Sequence, residues 1–243
     1  MIREMLAFIF IWYHADGEEP SWELEDDLVI TKGQFKQTCR FERLISSHIQ
    51  DISENAADMG HLEVIHKAST MVTRREYEKN AGHSWKGRLL SFRYDASWSA
   101  EGATARTDLC IHPSIMGWEP AALVANGVFK ILGPALVVFN GVNRYGHIKT
   151  VLALTPVGAL QVRMIHLTFS DPGFPWILRR FIETGNRRMM DRDILVWNKK
   201  AMIAKPLLVK EDRSIVDFRK WYSQFYSSRS PTWQEVRETT LEW

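Results

Sequence analysis

The sequence is organised around residues 54–66, which read Glu54-Asn55-Ala56-Ala57-Asp58-Met59-Gly60-His61-Leu62-Glu63-Val64-Ile65-His66. A histidine follows the aspartate by three residues, and a second histidine follows the first by five. Two neutral imidazoles and one carboxylate from elsewhere in a chain form the facial triad of a non-haem Fe(II) site, which leaves coordination positions open. The stretch therefore predicts a metal site that includes His61 and His66.

Helical spacing around this stretch is indicated by the apolar residues Ile52, Ala56, Met59, Leu62 and Ile65. On a regular helix Asp58 and His61 would share a face, whereas His61 and His66 would be about 140° apart. Both histidines can bind one metal only if the helix is distorted. A π-turn is the natural distortion, because π-bulges favour functional sites, and Gly60 would ease it.

The rest of the sequence predicts strands followed by helices. The strand-like segments are 7–13, 31–47, 87–94, 103–111, 136–139, 147–155 and 160–170, while 120–129 fits either a short helix or a strand. The last three strands are joined by short turns, which implies antiparallel pairing. The opening strand is expected to be buried and to have no partner upstream.

Two helices are predicted in the C-terminal third. One runs from Trp176 to about Met202, with Arg179, Arg180, Arg187 and Arg188 on its solvent side. The other covers Ile215–Tyr226, and its apolar stripe is formed by Phe218, Trp221, Tyr222 and Phe225. The fold class is therefore α+β: a curved antiparallel β-sheet with a metal-bearing helix and long C-terminal helices packed over it.

The composition is that of an ordinary globular protein, with 45% hydrophobic and 25% charged residues and a net charge of +2 over 243 residues. This charge gives no electrostatic case for binding nucleic acid, which needs a clustered basic face. The two cysteines, Cys39 and Cys110, favour a reducing compartment over a disulfide framework. Segments 6–13 and 121–139 are too short or too interrupted to span a membrane. We expect a cytoplasmic protein or one peripheral to an intracellular membrane.

Several segments resemble one family. The Glu-Asn-x-x-Asp-x-x-His-x-x-x-x-His pattern resembles the mononuclear iron motif of Rieske-type non-haem iron oxygenases. The segments Trp12–Pro20, Thr155–Gly158, Lys205–Leu208 and Phe218–Tyr226 resemble its steroid-active branch, which contains the cholesterol 7-desaturases and the ketosteroid hydroxylases. The resemblance implies a helix-grip, Bet v 1-like fold. Residues 1–243 would form one catalytic domain with a polar tail from about residue 227.

The resemblance also implies the ligands of a mononuclear Fe(II). His61 and His66 would supply the imidazoles. Asp193 would supply the carboxylate, because it fits the position before the Ile-x-x-Trp pattern, and Asp191 is the alternative. A solvated helix face beside Arg192 is the competing interpretation of the two aspartates.

Three polar residues would assist the site. The resemblance assigns Asp58 to the link between the iron and an incoming electron donor. Glu54 and Asn55 are candidates for orienting the imidazoles or for the electron route. His83, His147 and His166 are expected to be structural or solvent-facing residues.

The implied reaction is the oxidation of a sterol with dioxygen, most specifically cholesterol 7-desaturation. Residues 121–139 would line an apolar sterol cavity, although plain core is an equally good interpretation. The alternative function is a non-catalytic sterol- or lipid-binding paralogue on the same scaffold.

The family also carries a Rieske domain, which needs two cysteine-containing halves to bind its 2Fe–2S cluster. Here Cys110-Ile111-His112 matches one half, and no later cysteine follows. Cys110 is instead expected to be a buried strand residue and His112 a turn residue. We expect a catalytic domain that begins where a Rieske domain would end, or an incomplete gene model. Electrons would come from NAD(P)H through a reductase and a Rieske or ferredoxin-type partner, and the family suggests a homotrimer.

Overall fold

One large antiparallel sheet forms the centre of the protein. The structure, a computed structural model, describes residues 1–158, 160–200 and 206–231 together with residue 235. In chain order its elements are β1 (Ile2–Met5), β2 (Phe8–Ile11), α1 (Leu28–Thr31), β3 (Lys36–Ile45), α2 (Ile49–Glu54), α3 (Met59–His61), a π-helix (Leu62–His66), α4 (Arg74–Asn80), α5 (Trp85–Leu89), β4 (Leu90–Glu101), β5 (Thr104–Ile115), β6 (Ala125–Leu132), β7 (Leu136–Asn143), β8 (Gly146–Gly158), β9 (Gln161–Ser170), α6 (Trp176–Trp197) and α7 (Arg213–Tyr222). Met202, the predicted end of the first long helix, lies outside the described residues, as does most of the tail.

The order of strands in the large sheet is β3-β9-β8-β7-β6-β5-β4, and every neighbouring pair is antiparallel. The register shifts between Gln37 and Cys39 in β3 and between Pro156 and Gly158 in β8. Bulges of this kind bend a strand and increase its twist. The predicted α+β fold with helices on an antiparallel sheet is confirmed.

The inner face of this sheet packs against α2, α6 and α7. Residues of β6–β9 form the sheet side of the core, represented by Ile131, Leu152 and Met164. Phe218 of α7 is fully buried, and its ring centroid lies 5.7 Å from that of Trp221 and 5.5 Å from that of Tyr222. The predicted aromatic stripe is therefore confirmed as the surface by which α7 joins the core.

The outer face of the sheet is covered by the N-terminal hairpin β1–β2, which corrects the expected buried strand. Leu6 and Ala7 have φ of +52° and +62°, so the chain turns back and β2 pairs with β1 upstream of it. The hairpin buries Leu6 on the sheet, whereas Ile9 and Ile11 are 70% and 72% exposed. The hairpin lies on one face of the sheet, so alternate residues of β2 face solvent. This is why the apolar run is not buried throughout.

Three further expectations change. Residues 87–89 belong to α5 rather than to a strand, because the Ser84 side chain accepts a hydrogen bond from Gly87 N–H and caps that helix. Segment 120–129 contains both options, a 3-10 turn at Ala121–Leu123 and then β6. His112 lies within β5, where its Nε2 is 2.8 Å from Asp95 Oδ2, and Cys110 on the same strand is only half-buried.

None of the helices in the described part of the chain is long and apolar enough to cross a membrane.

A buried histidine lies on the inner face. His166 of β9 is 4% exposed, and its ring stacks on Phe41 of β3 with 4.3 Å between centroids. Burial lowers the pKa of His166 to about 4, because the imidazolium would lose its hydration. His166 is therefore neutral at physiological pH, and of the two expected places, structural or solvent-facing, its burial excludes the solvent-facing one.

Stability should depend on this histidine in acid. As pH falls from about 6.5 to about 4, the unfolded chain takes up a proton at His166 that the folded chain rejects. The free energy of unfolding should fall by up to about 3 kcal/mol over this range from this residue alone. His166→Phe should remove that part of the slope in urea titrations at several pH values. His83→Asn, at an exposed histidine, should leave the slope unchanged, and identical slopes for wild type and His166→Phe would contradict the assignment.

Candidate metal centre

Three side chains converge where the π-helix meets α6. Each of His61, His66 and Asp193 offers a ligand atom that lies within 4.8 Å of the other two. His66 Nε2 is 3.1 Å from Asp193 Oδ1, and the two imidazole rings are 4.9 Å apart. His66 and Asp193 are each about 6% exposed. The arrangement brings two nitrogen donors and one carboxylate together in a site where His66 and Asp193 are buried and His61 is partly exposed.

The predicted π-distortion is confirmed, although the predicted continuous helix is not. The segment Leu62–His66 is a π-helix, whose wider turn lets His61 and His66, five residues apart, face the same point. The helix preceding this region ends at Glu54, and α3 begins only at Met59. A Cβ on Gly60 would lie 3.3 Å from Asp58 Oδ1, so the absence of a side chain there leaves room for the helix cap.

Asp58 is that cap, and it does not share a helix face with His61. Its Oδ1 accepts a hydrogen bond of 3.1 Å from the His61 backbone N–H. Its carbonyl oxygen, which can only accept, is hydrogen-bonded to His61 Nδ1. Nδ1 must therefore carry the proton, and Nε2 is left as the basic ring nitrogen. Burial lowers the pKa of His61, and the neighbouring His66 lowers it further, which favours the neutral form that binds metals.

The two candidate aspartates lie in different surroundings. Asp191 Oδ1 accepts a 3.0 Å hydrogen bond from Arg43 Nε and does not belong to the cluster. Asp193 Oδ1 is buried and makes no hydrogen bond within the described residues, although His66 Nε2 lies only 3.1 Å away. A buried carboxylate oxygen without a hydrogen bond is costly, and a cation held between it and the imidazoles would remove that cost. The donor set fits Fe(II).

Arg192 lies at the centre of the packing beneath the cluster. It is 0% exposed, so a solvated helix face at this position is excluded. Its guanidinium donates hydrogen bonds to four backbone carbonyls, those of Ile65, Ala68, Ser69 and Val72. The last carbonyls of a helix have no partner within the helix. Arg192 satisfies them for the π-helix and for the loop after it.

Other side chains complete this set of donors. Tyr77 OH donates to the Val64 carbonyl at 3.1 Å, and Tyr94 OH donates to the His66 carbonyl at 3.2 Å. Burial raises the pKa of both tyrosines, so each hydroxyl keeps its proton. Arg188 donates to the carbonyls of residues 70 and 71, and its predicted place on the solvent side is therefore wrong.

These donors were not identified from the sequence. The spacing of four between Arg188 and Arg192 was available as a signal, because residues four apart share a helix face. Asp193 is the residue directly after Arg192 in the sequence. The tyrosines carry no such signal, since α4 and β4 approach the π-helix only through the tertiary fold.

Glu54 and Asn55 hydrogen-bond to side chains of the C-terminal third of the chain rather than to the imidazoles. Glu54 is buried and accepts hydrogen bonds from Arg219 Nε at 2.6 Å and from Lys200 Nζ at 3.2 Å. Asn55 Oδ1 accepts one from Trp197 Nε1 at 3.3 Å. Both residues thus tie α2 to the C-terminal end of α6, and Glu54 also ties it to α7.

Replacing Arg192 should loosen His66. Arg192→Met keeps the apolar stem but leaves four carbonyls without their donor, so the free energy of unfolding should fall by roughly 3 kcal/mol or more. Hydrogen exchange should increase selectively over residues 65–72. The matched substitution at an exposed arginine, Arg75→Met, should change neither. A variant with unaltered exchange in this loop would contradict the role given to Arg192.

Comparison with known proteins identifies the family of the chain. The family model of the 3-ketosteroid 9alpha-hydroxylase C-terminal domain matches residues 11–226. Cholesterol 7-desaturase from Xenopus laevis is 32% identical over 239 residues, covering 94% of this chain and 51% of the relative. The oxygenase component of 3-ketosteroid-9-alpha-monooxygenase from Rhodococcus rhodochrous is 26% identical over 239 residues, covering 92% and 58%. The chain spans about half the length of the curated relatives it matches.

Solved structures share the fold at low sequence identity. The enzyme NdmA of Pseudomonas putida CBB5 with caffeine matches with a TM-score of 0.60 and 12% identity, covering 95% of this chain and 69% of that one. Dicamba monooxygenase with non-heme iron and dicamba matches with a TM-score of 0.54 and 10% identity, covering 93% and 67%. The quaternary ammonium Rieske monooxygenase CntA in complex with an inhibitor matches with a TM-score of 0.54 and 11% identity, covering 82% of this chain and 51% of that one. The chain therefore belongs to the family of the 3-ketosteroid 9alpha-hydroxylase C-terminal domain and has the fold of a Rieske oxygenase catalytic domain.

Proposed function

We propose that this chain is the catalytic domain of a sterol oxidoreductase that uses mononuclear Fe(II) and dioxygen, most specifically for the 7-desaturation of cholesterol. The convergence of His61, His66 and Asp193 carries the proposal. The relatives named cholesterol 7-desaturase support the substrate and the reaction.

The metal would be held by the two imidazoles and by the Asp193 carboxylate. His61 would bind through Nε2, because its Nδ1 is committed to the Asp58 carbonyl. His66 would bind through Nε2, the nitrogen that faces Asp193. Fe(II) bound there would supply the activation of dioxygen needed to remove hydrogen from an unactivated C–H bond. Burial lowers the pKa of His61 and so keeps this imidazole in the neutral form.

Electrons would reach the site from outside these 243 residues. The two cysteines lie on β3 and β5 and cannot supply the ligands of a 2Fe–2S cluster. We propose that this 2Fe–2S cluster belongs to a Rieske or ferredoxin-type centre, which a reductase reduces with NAD(P)H. Asp58 is half-exposed and its carbonyl is hydrogen-bonded to His61, which supports it as the point of electron entry. A homotrimer is the assembly proposed from the family.

Glu54 and Asn55 would affect the metal site indirectly, through the residues to which they are hydrogen-bonded. Their bonds to Lys200 and Trp197 hold the C-terminal end of the helix that carries Asp193. We therefore propose that they position the carboxylate ligand rather than the imidazoles.

Measurements of iron binding distinguish Asp193 from Asp191 as the carboxylate ligand. Wild-type protein and Asp191→Ala should each take up about one Fe(II) per chain under anaerobic reducing conditions, since one three-residue set is available. Asp193→Ala, the same truncation two residues away, should bind iron more than about tenfold more weakly. Metal analysis after gel filtration measures this, with circular dichroism to confirm folding. Equal iron content in the two variants would refute Asp193 as a ligand.

Turnover tests the role of Asp58. Purified protein loaded with iron, supplied with ferredoxin, ferredoxin reductase and NADPH, should convert cholesterol to its 7-dehydro product. Asp58→Asn keeps a good helix cap and should keep its iron, but its turnover should fall by about tenfold or more because the negative charge at the proposed entry point is lost. Asp217→Asn, on the exposed side of α7, is the matched control.

Two outcomes would contradict the proposal. Turnover by Asp58→Asn at the wild-type rate would remove Asp58 from the electron route. Tight cholesterol binding by iron-loaded wild type without any product would favour the non-catalytic sterol-binding protein.

A further inference from the structure

Four polar side chains form a contiguous group on the inner face of the sheet. Thr150 of β8 is the cross-strand partner of Thr168 in β9, and His166 and Ser170 flank Thr168 at alternate positions of the same strand. Residues two apart in a strand point to the same face. We call these four residues the polar row.

The members of the polar row are buried and unsatisfied. Thr150, His166, Thr168 and Ser170 are 7%, 4%, 0% and 1% exposed. In each, a side-chain polar atom has no hydrogen-bond partner among the described residues: Thr150 Oγ1, His166 Nδ1, Thr168 Oγ1 and Ser170 Oγ. Buried polar groups in native proteins are nearly always hydrogen-bonded. Four unmet groups side by side therefore indicate a place where something polar binds.

Helix α6 approaches one end of the polar row. Arg187 of α6 lies over the Phe41 ring at 5.1 Å, and Phe41 stacks on His166. Two further buried side chains, Glu183 of α6 and Thr70 of the loop before α4, are 5% and 8% exposed, and Glu183 Oε1 and Thr70 Oγ1 lack partners in the described ranges. The middle of α6 therefore lies near the His166 end of the row.

The metal cluster lies farther along the same helix. Arg187 precedes Asp193 by six residues, which is about 9 Å along a helix axis. The inner face next to the row is apolar, formed by Leu152, the cross-strand partner of His166, and by Met164, two residues before His166 in β9. A rigid, mostly apolar molecule with oxygen at one end would match this division.

The chemistry of the row favours an alcohol. Threonine and serine hydroxyls can donate and accept hydrogen bonds, and so can a neutral imidazole. An alcohol both donates and accepts, whereas a ketone only accepts. The row can therefore satisfy both functions of an alcohol.

We propose that the polar row is the subsite that binds the hydroxyl group of a sterol, so that this end of the molecule is held while the carbon to be oxidised lies at the metal cluster. The inference rests on the proposed function for its substrate class. It adds the residues that select a hydroxylated sterol and set its orientation.

Isosteric variants test the subsite without iron chemistry. Thr168→Val and Thr150→Val should each weaken cholesterol binding about five- to tenfold, the effect of losing one hydrogen bond in a buried site. Binding of cholest-5-ene, the same skeleton without the oxygen, should not change. The 3-ketone, cholest-5-en-3-one, should bind wild type more weakly than cholesterol. Competition against tritiated cholesterol on the full chain measures all three probes.

A stability measurement separates recognition from structure. Valine replaces an unpartnered hydroxyl with a methyl of the same shape, so the melting temperature without ligand should stay the same or rise. Thr155→Val makes the same change at an exposed position of β8 and should alter neither stability nor sterol discrimination. Lower stability with equal losses for cholesterol and cholest-5-ene would overturn the subsite.

The outcomes also distinguish the subsite from the proposed function. Wild type that binds iron and oxidises cholesterol, while the valine variants keep the full preference for cholesterol over cholest-5-ene, overturns the subsite alone, and the row then binds only ordered water. A hydroxyl preference that depends on Thr168 in a protein without turnover supports the subsite and contradicts the proposed chemistry.

Discussion

The arrangement of the candidate metal centre formed by His61, His66 and Asp193 depends on how the carbonyl end of one short π-helix is satisfied. A helix that ends in the interior exposes carbonyls that neither water nor its own backbone can bond. Here Arg192 supplies donors to the π-helix and to the loop after it, and Tyr77 and Tyr94 add two more. Side chains from three elements, α4, β4 and α6, thus hold the same few peptide groups. The position of His66 is a result of that packing.

The two faces of the sheet have different surroundings. Its outer face is closed by the N-terminal hairpin, and its inner face carries both the apolar core and the buried polar groups. At the C-terminal end of α6, Lys200 bridges Asp51 at 2.9 Å and Glu54 at 3.2 Å, and Arg219 completes the network. Ion pairs of this kind fix geometry more than they add stability. They anchor α2, α6 and α7 relative to one another.

Much of the fold could be predicted from periodicity, because β8 and β9 are long and bounded by clear turns. The spacing of five between His61 and His66 was also sufficient to predict the π-helix. The N-terminal hairpin was missed because its turn uses Leu6 and Ala7, residues that carry no turn signal. Arg192 was missed for another reason: an arginine between two aspartates looks solvated, and only the tertiary structure shows the carbonyls that it meets.

Arg192 and Asp193 are adjacent in sequence, and this adjacency couples assembly of the cluster to assembly of the fold. The same turn of α6 contributes one candidate ligand and the group that holds another in place. If this turn opens, the carboxylate and the support of His66 are lost in one event. The centre therefore behaves as a single cooperative unit, either complete or absent, and a short peptide containing both histidines would not reproduce it.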